Sequence, residues 1–134
     1  MEKENIGKLQ EEEKLDTARN IINKTIPILR SKGNIDTSGD FDISFNNEGR
    51  NYRLAGVQIK QSIGLSFHQV TPDKQIHEGF YVTIDKTVGK TKSKYNPPYV
   101  NILFIDTKQK SFSNTKETVN KINKFLENFA SKTN

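Results

Sequence analysis

The sequence predicts an α+β fold: an N-terminal helix, an antiparallel sheet of about five strands and a C-terminal helix, packed in two layers. Three observations carry this. Apolar residues recur every three or four positions before residue 33 and after residue 114, a period of two governs much of the region between, and clusters of Asn, Asp, Gly and Pro punctuate that region. A length of 134 residues suits one domain, read here as 8–131 between flexible ends at 1–7 and 132–134.

The first element is predicted as a helix from about Lys8 to Ser31. Leu15, Ala18, Ile22, Ile26 and Leu29 share one face, Glu11, Glu12 and Glu13 favour its start, and Arg30, Lys32 and Gly33 its end. Pro27 removes one backbone donor and should kink the helix or end its regular part near Ile26. Phe41, Ile43 and Phe45 then alternate with Asp42 and Ser44, the segment Asn46-Asn47-Glu48-Gly49 turns, and a second strand runs from Asn51 to Lys60. Gly56 inside that strand marks a bulge or a close backbone approach.

A third strand sets Ile63, Leu65 and Phe67 on one face and Gly64, Ser66 and His68 on the other. The stretch from Gln69 to Glu78 reads as a connection. The fourth strand turns Phe80, Val82 and Ile84 inward and Tyr81, Thr83 and Asp85 outward. A fifth, Tyr99 to Asp106, is apolar on both faces, as a central or covered strand would be. The last helix runs from about Thr115 to Ser131. Asn114 and Glu117 stand as a capping-box pair, Val119, Ile122, Leu126 and Phe129 form the apolar stripe with Phe125 beside it, and Lys116, Lys121 and Lys124 face away. Both helices should cover one sheet face, leaving Arg53, Ser66, His68, Tyr81 and Thr83 on the other.

The absence of cysteine excludes disulfides, thiolate catalysis and cysteine metal sites. No segment is apolar over the ~18 residues needed to cross a bilayer, and the acidic start lacks an apolar signal region, so the chain reads as cytoplasmic with no membrane partner. Charge is uneven: residues 1–16 carry net −3, residues 17–85 net +1 and residues 86–134 net +7. The basic character therefore lies in the last third and bears on partners rather than on fold.

The most distinctive segment is Lys86 to Pro98, where Lys86, Lys90, Lys92 and Lys94 occur without an acid and Tyr95 and Tyr99 frame a Pro-Pro pair. Flexible cations suit phosphates and aromatic rings stack on unpaired bases, so these residues, with Arg53 and Tyr81 on the polar face, are the candidate partner or nucleic-acid site. A lysine-rich loop is more commonly just a solvated tip, whose lysines discourage strand-to-strand association. Gly89-Lys90-Thr91 echoes a phosphate loop but lacks its first glycine, position 84 being Ile.

His68 and His77, near Asp73 and Glu78, match no metal-ligand spacing and read as exposed polar residues. There is no Gly-x-Ser-x-Gly elbow. Asp40 and Asp42 lie two apart on one strand face, as turn and strand-margin residues. No metal or other cofactor is expected, nor enzymatic activity.

The predicted order over residues 41–131, several antiparallel strands and then a helix, is similar to the layout of whirly and purine-rich-element-binding proteins, which bind single strands across a curved sheet. The similarity is one of element order alone, and no site residue follows from it. The sequence thus points to a small non-enzymatic binding protein whose partner is another protein, of adaptor, inhibitor, immunity or assembly type. The alternative is a single-stranded DNA- or RNA-binding module built on the basic loop and the polar sheet face.

Overall fold

A computed structural model describes residues 7–33, 36, 38–59, 62–85 and 99–131. Helix α1 (Glu11–Arg30) leads into six strands, β1 (Phe41–Asn47), β2 (Arg50–Ile59), β3 (Ser62–Val70), β4 (Ile76–Asp85), β5 (Tyr99–Ile105) and β6 (Ser111–Ser113), and helix α2 (Lys116–Ser131) follows. The strands form one antiparallel sheet in chain order. Both helices lie on the same face: α1 against β4 and β5, α2 against β4, β5 and β6, and each against the other. The α+β architecture follows the sequence expectation, with one strand more than the five predicted.

The core is the layer between sheet and helices. Leu54, Phe67, Phe80 and Phe104 line up across β2 to β5, and Gly56, Leu65, Val82 and Ile102 form the next row. Phe125 and Phe129 of α2 insert edge-on among these rings. Phe125 stands 5.3 Å from Phe67 at 84°, and Phe129 stands 5.0 Å from Tyr52 at 89°. Edge-to-face contacts match the positive ring edge to the negative ring face, adding to the burial of apolar surface.

Several local expectations are corrected. Helix α1 begins at Glu11 rather than Lys8, because the preceding residues are used elsewhere. Lys8 bridges Thr115, the Leu9 amide donates to the Asn114 carbonyl at 3.0 Å, and the Gly7 carbonyl accepts from Lys116. Gly7 is therefore tied down, while residues 1–6 and 132–134 lie outside the described residues. Pro27 does not end the helix, which continues to Arg30, and the Pro27 carbonyl accepts the Ser31 amide. Pro27 and Asn23, whose carbonyl loses its donor to the proline, are both exposed, so water can serve that carbonyl.

The buried stripe of α1 is Ala18, Ile21, Thr25 and Leu29, with Leu15, Ile22 and Ile26 only partly covered. Thr25 enters the core because its hydroxyl donates to the Ile21 carbonyl at 2.7 Å. At α2 the reciprocal cap is Thr115 with Thr118: the Thr118 amide donates to Thr115 Oγ1 at 3.1 Å and the Thr115 amide to Thr118 Oγ1 at 3.3 Å. Asn114 instead bridges strands. Its Oδ1 accepts the Ile102 amide at 2.8 Å and its Nδ2 donates to Asn101 at 3.1 Å. Lys121 does not face away; its ammonium lies 4.5 Å from the centre of the Phe112 ring.

Strand β5 is internal to the sheet, between β4 and β6; its Val100, Ile102 and Phe104 are buried on the helix side, while Leu103 and Ile105 are partly buried on the other face. Gly56 is a close-approach glycine: the Phe41 ring lies over it where a Cβ would stand. Strands β3 and β4 extend further than expected, leaving only residues 71–75 as their connection.

Candidate functional site

The second sheet face is the candidate site. Among the described residues no helix or strand packs over it. Strand alternation sends Asp42, Ser44, Arg53, Ala55, Ser66, His68, Tyr81, Leu103 and Ile105 to this side, as the cross-strand register requires. A cleft of about 940 Å³ lies on its β1–β4 half, lined by Asp42, Ser44, Arg53, Ser66, His68 and Tyr81 and walled by the β3–β4 turn.

A bulge shapes that wall. Gln69 pairs with Glu78 but Val70 pairs with Ile76, so His77 is the extra residue on β4. An inserted residue bends the strand and raises its twist. The turn beyond closes on itself: the Thr71 amide donates to the Gln75 carbonyl at 2.8 Å, the Lys74 amide to the Thr71 carbonyl at 2.8 Å, and the Thr71 hydroxyl bonds the Asp73 carboxylate. Val70, Pro72, Lys74 and Ile76 thereby edge the cleft.

His68 is the main correction to the sequence reading. It lies on the predicted face, but it is buried, 4% exposed, not an exposed polar residue. Directly across the ladder stands Gly79, where a Cβ would run into the His68 ring and backbone and the Phe67 carbonyl. The missing side chain makes room for the imidazole, and Tyr81 closes over it edge-on at 4.5 Å. His68 Nε2 is buried without a hydrogen-bond partner. Desolvation, and secondly the positive Arg53 beside it, push its pKa down to about 4, so the ring is neutral at pH 7. The signal in the sequence was Gly79, a glycine on the adjoining strand at the cross-strand position.

Arg53 is exposed and bound to Asp42 in two-pronged geometry, Nε to Oδ1 at 2.9 Å and Nη2 to Oδ2 at 2.5 Å. Those hydrogen bonds hold the Asp42 carboxyl below the ordinary aspartate range and raise the guanidinium's pKa. Asp40, the other acid of the pair noted in the sequence, accepts the Gln58 amide at 3.2 Å. Both acids thus serve the β1–β2 hairpin.

Of the candidate residues, Arg53 and Tyr81 come together around His68. Tyr99 is on the same face and 52% exposed, but it pairs with Asp85, whereas Tyr81 pairs with Leu103. That offset of four residues separates the two tyrosines by about 13 Å along the strands. Lys86, Lys90, Lys92, Lys94 and Tyr95 lie outside the described residues. No group of three His, Cys, Asp or Glu side chains that could hold a metal occurs among the described residues. Nor, among them, is any helix long and apolar enough to cross a membrane.

Comparison of the chain with protein families, curated proteins and solved structures finds no match.

Proposed function

We propose that this chain is a small non-enzymatic binding protein that engages another protein through the sheet face opposite its helices. One observation carries the reading. That face mixes partly buried apolar residues, Ala55, Val70, Tyr81, Leu103 and Ile105, with short polar ones, and its one arginine is neutralised within the face by Asp42. A face meant to track a phosphate backbone would present unpaired cations. A protein-binding face instead combines aromatic and aliphatic contacts with a few polar groups and little net charge.

Among the described lysines, Lys74 edges the cleft from the β3–β4 turn, whereas three others are engaged elsewhere. Lys24 donates to Asn123 at 3.2 Å, Lys32 lies 4.7 Å from the centre of the Phe45 ring and Lys121 covers Phe112, all three on the helix side of the molecule. The adaptor, inhibitor, immunity and assembly roles all fit such a surface, and none is preferred.

The test is a comparison of captures from the native host. Wild-type protein should retain a stoichiometric protein partner, Tyr81→Glu should lose it, and Lys124→Glu on the helix side should keep it. Titration of labelled single- and double-stranded oligonucleotides at two salt concentrations tests the nucleic-acid alternative. Salt-sensitive oligonucleotide binding that survives Tyr81→Glu, with no protein retained, would refute the proposal.

A further inference from the structure

The two edges of the sheet differ. Strand β6 is three residues long and follows Lys108 and Lys110, a short and charged edge of the kind that resists strand addition. Strand β1 is seven residues, Phe-Asp-Ile-Ser-Phe-Asn-Asn, with no proline, no lysine and no bulge against β2. Its single charge, Asp42, is neutralised by Arg53. The nearest cation, Lys32, lies over the Phe45 ring on the helix side rather than on the strand itself, and no described strand pairs with the outer side of β1.

The hairpin decides which backbone groups point outward. Glu48 and Gly49 both have positive φ, 53° and 77°, between the paired residues Asn47 and Arg50. Such a two-residue turn closes on a hydrogen-bonded pair, and hydrogen-bonded and open positions then alternate along the strand. Phe41, Ile43, Phe45 and Asn47 therefore bond β2, and the amides and carbonyls of Asp42, Ser44 and Asn46 face away from the sheet.

We propose that β1 pairs antiparallel with β1 of a second copy of this chain, about a two-fold axis at Ser44, joining two sheets into one. The register is self-complementary. Ser44 faces Ser44 of the other copy and Asp42 faces Asn46, giving about six main-chain hydrogen bonds with no like charges opposed. On the helix side, Ile43 meets Phe45 of the other copy, covering edge residues that are only partly buried in one chain. The pairing uses the sheet edge and stands or falls separately from partner binding by the open face.

Absence of cysteine allows a register-specific test. In the proposed pair the two Ser44 Cα atoms lie about 5.5 Å apart, inside the range a disulfide spans, whereas the two Asn46 Cα atoms lie about 14 Å apart. Under mild oxidation Ser44→Cys should form a covalent dimer at least tenfold faster than Asn46→Cys. Sedimentation equilibrium should give twice the chain mass for wild type and the chain mass for Ser44→Pro, which removes an outward donor and leaves the β2 ladder intact. Unchanged circular dichroism would show that Ser44→Pro is folded, and Ser44→Lys, which sets two cations face to face, should give the same mass as Ser44→Pro. A wild-type monomer at hundreds of micromolar, equal crosslinking at the two positions, or a dimer that survives both Ser44 variants would overturn the proposal.

Discussion

Acid should destabilise this protein well above the pH at which its carboxylates titrate, and His68 is the reason. Its pKa in the folded chain is about 4 because the ring is buried beside Arg53, against 6.5 when exposed. Between those values the unfolded state binds the proton and the folded state does not. Stability is therefore full above pH 6.5 and falls as pH drops toward 4, where the loss levels off. A displacement of that size corresponds to about 3 kcal/mol in total, of which about 2 kcal/mol is lost by pH 5. Asp36, Asp42 and Asp106 are held below the ordinary aspartate value of 3.8, each mainly by hydrogen bonds to its carboxylate, so their contributions disappear only at lower pH and leave the window near pH 5 to His68.

Urea unfolding followed by circular dichroism at pH 7 and pH 5, on wild type and His68→Leu, measures this directly. Leucine has nearly the volume of histidine and no proton to bind. Wild type should lose about 2 kcal/mol more than the variant between the two pH values. Equal losses in the two proteins would refute the reasoning, since they would mean that His68 is hydrated or finds a partner once protonated.

Gly79→Ala should destabilise by about 2 kcal/mol or more, because the added methyl meets the Phe67 carbonyl and the His68 backbone, neither of which can rotate away; thermal denaturation will show it. Phe125→Ala should cost about 3–5 kcal/mol, since this ring touches those of Tyr52, Phe67, Phe80 and Phe104 and is 6% exposed. Thr115→Ala should cost about 1 kcal/mol by loss of the α2 cap, and Glu117→Gln should change little; urea midpoints distinguish the two. Asp42→Asn should lower stability slightly at low salt and by less at high salt, because the Arg53 pair is exposed on both sides.

The fold was largely legible because its sheet is a meander: each strand pairs with its neighbours in sequence, and simple alternation assigns the faces. Phe80, Val82 and Ile84 point inward and Tyr81 and Thr83 outward as that alternation predicts. Strand β6 was not legible, since Ser111–Ser113 contains one apolar residue between two serines and becomes a strand only by pairing with β5. The cap of α2 was misread because Asn114 is drawn into the sheet, leaving Thr115 to serve the helix. The burial of His68 and the Asp42–Arg53 pair depend on neighbours in other strands. Arg53 lies opposite Ser44 and reaches Asp42 on the diagonal, a relation that exists only once the β1–β2 register is known.

The one-sided covering of the sheet follows from the chain's own order. The described connections at 48–49 and 71–75 are too tight to hold a covering helix, and among the described residues the helices are those before and after the meander. Each has one apolar stripe, and the two meet each other over β4 and β5, so neither can reach the opposite face. That face must be stable in water and still keep a sheet together, and its composition meets both demands. His68 packs against Tyr81 and over Gly79, while Ser44, Ser66 and Thr83 stand on the same face. Val57 and Tyr99 fall outside that compromise, 46% and 52% exposed, at the end of the face away from the β3–β4 turn. Apolar residues gain nothing from water, so a binding partner that covers this end as well as the cleft would bury them, and Tyr99→Ser should weaken its capture without changing stability.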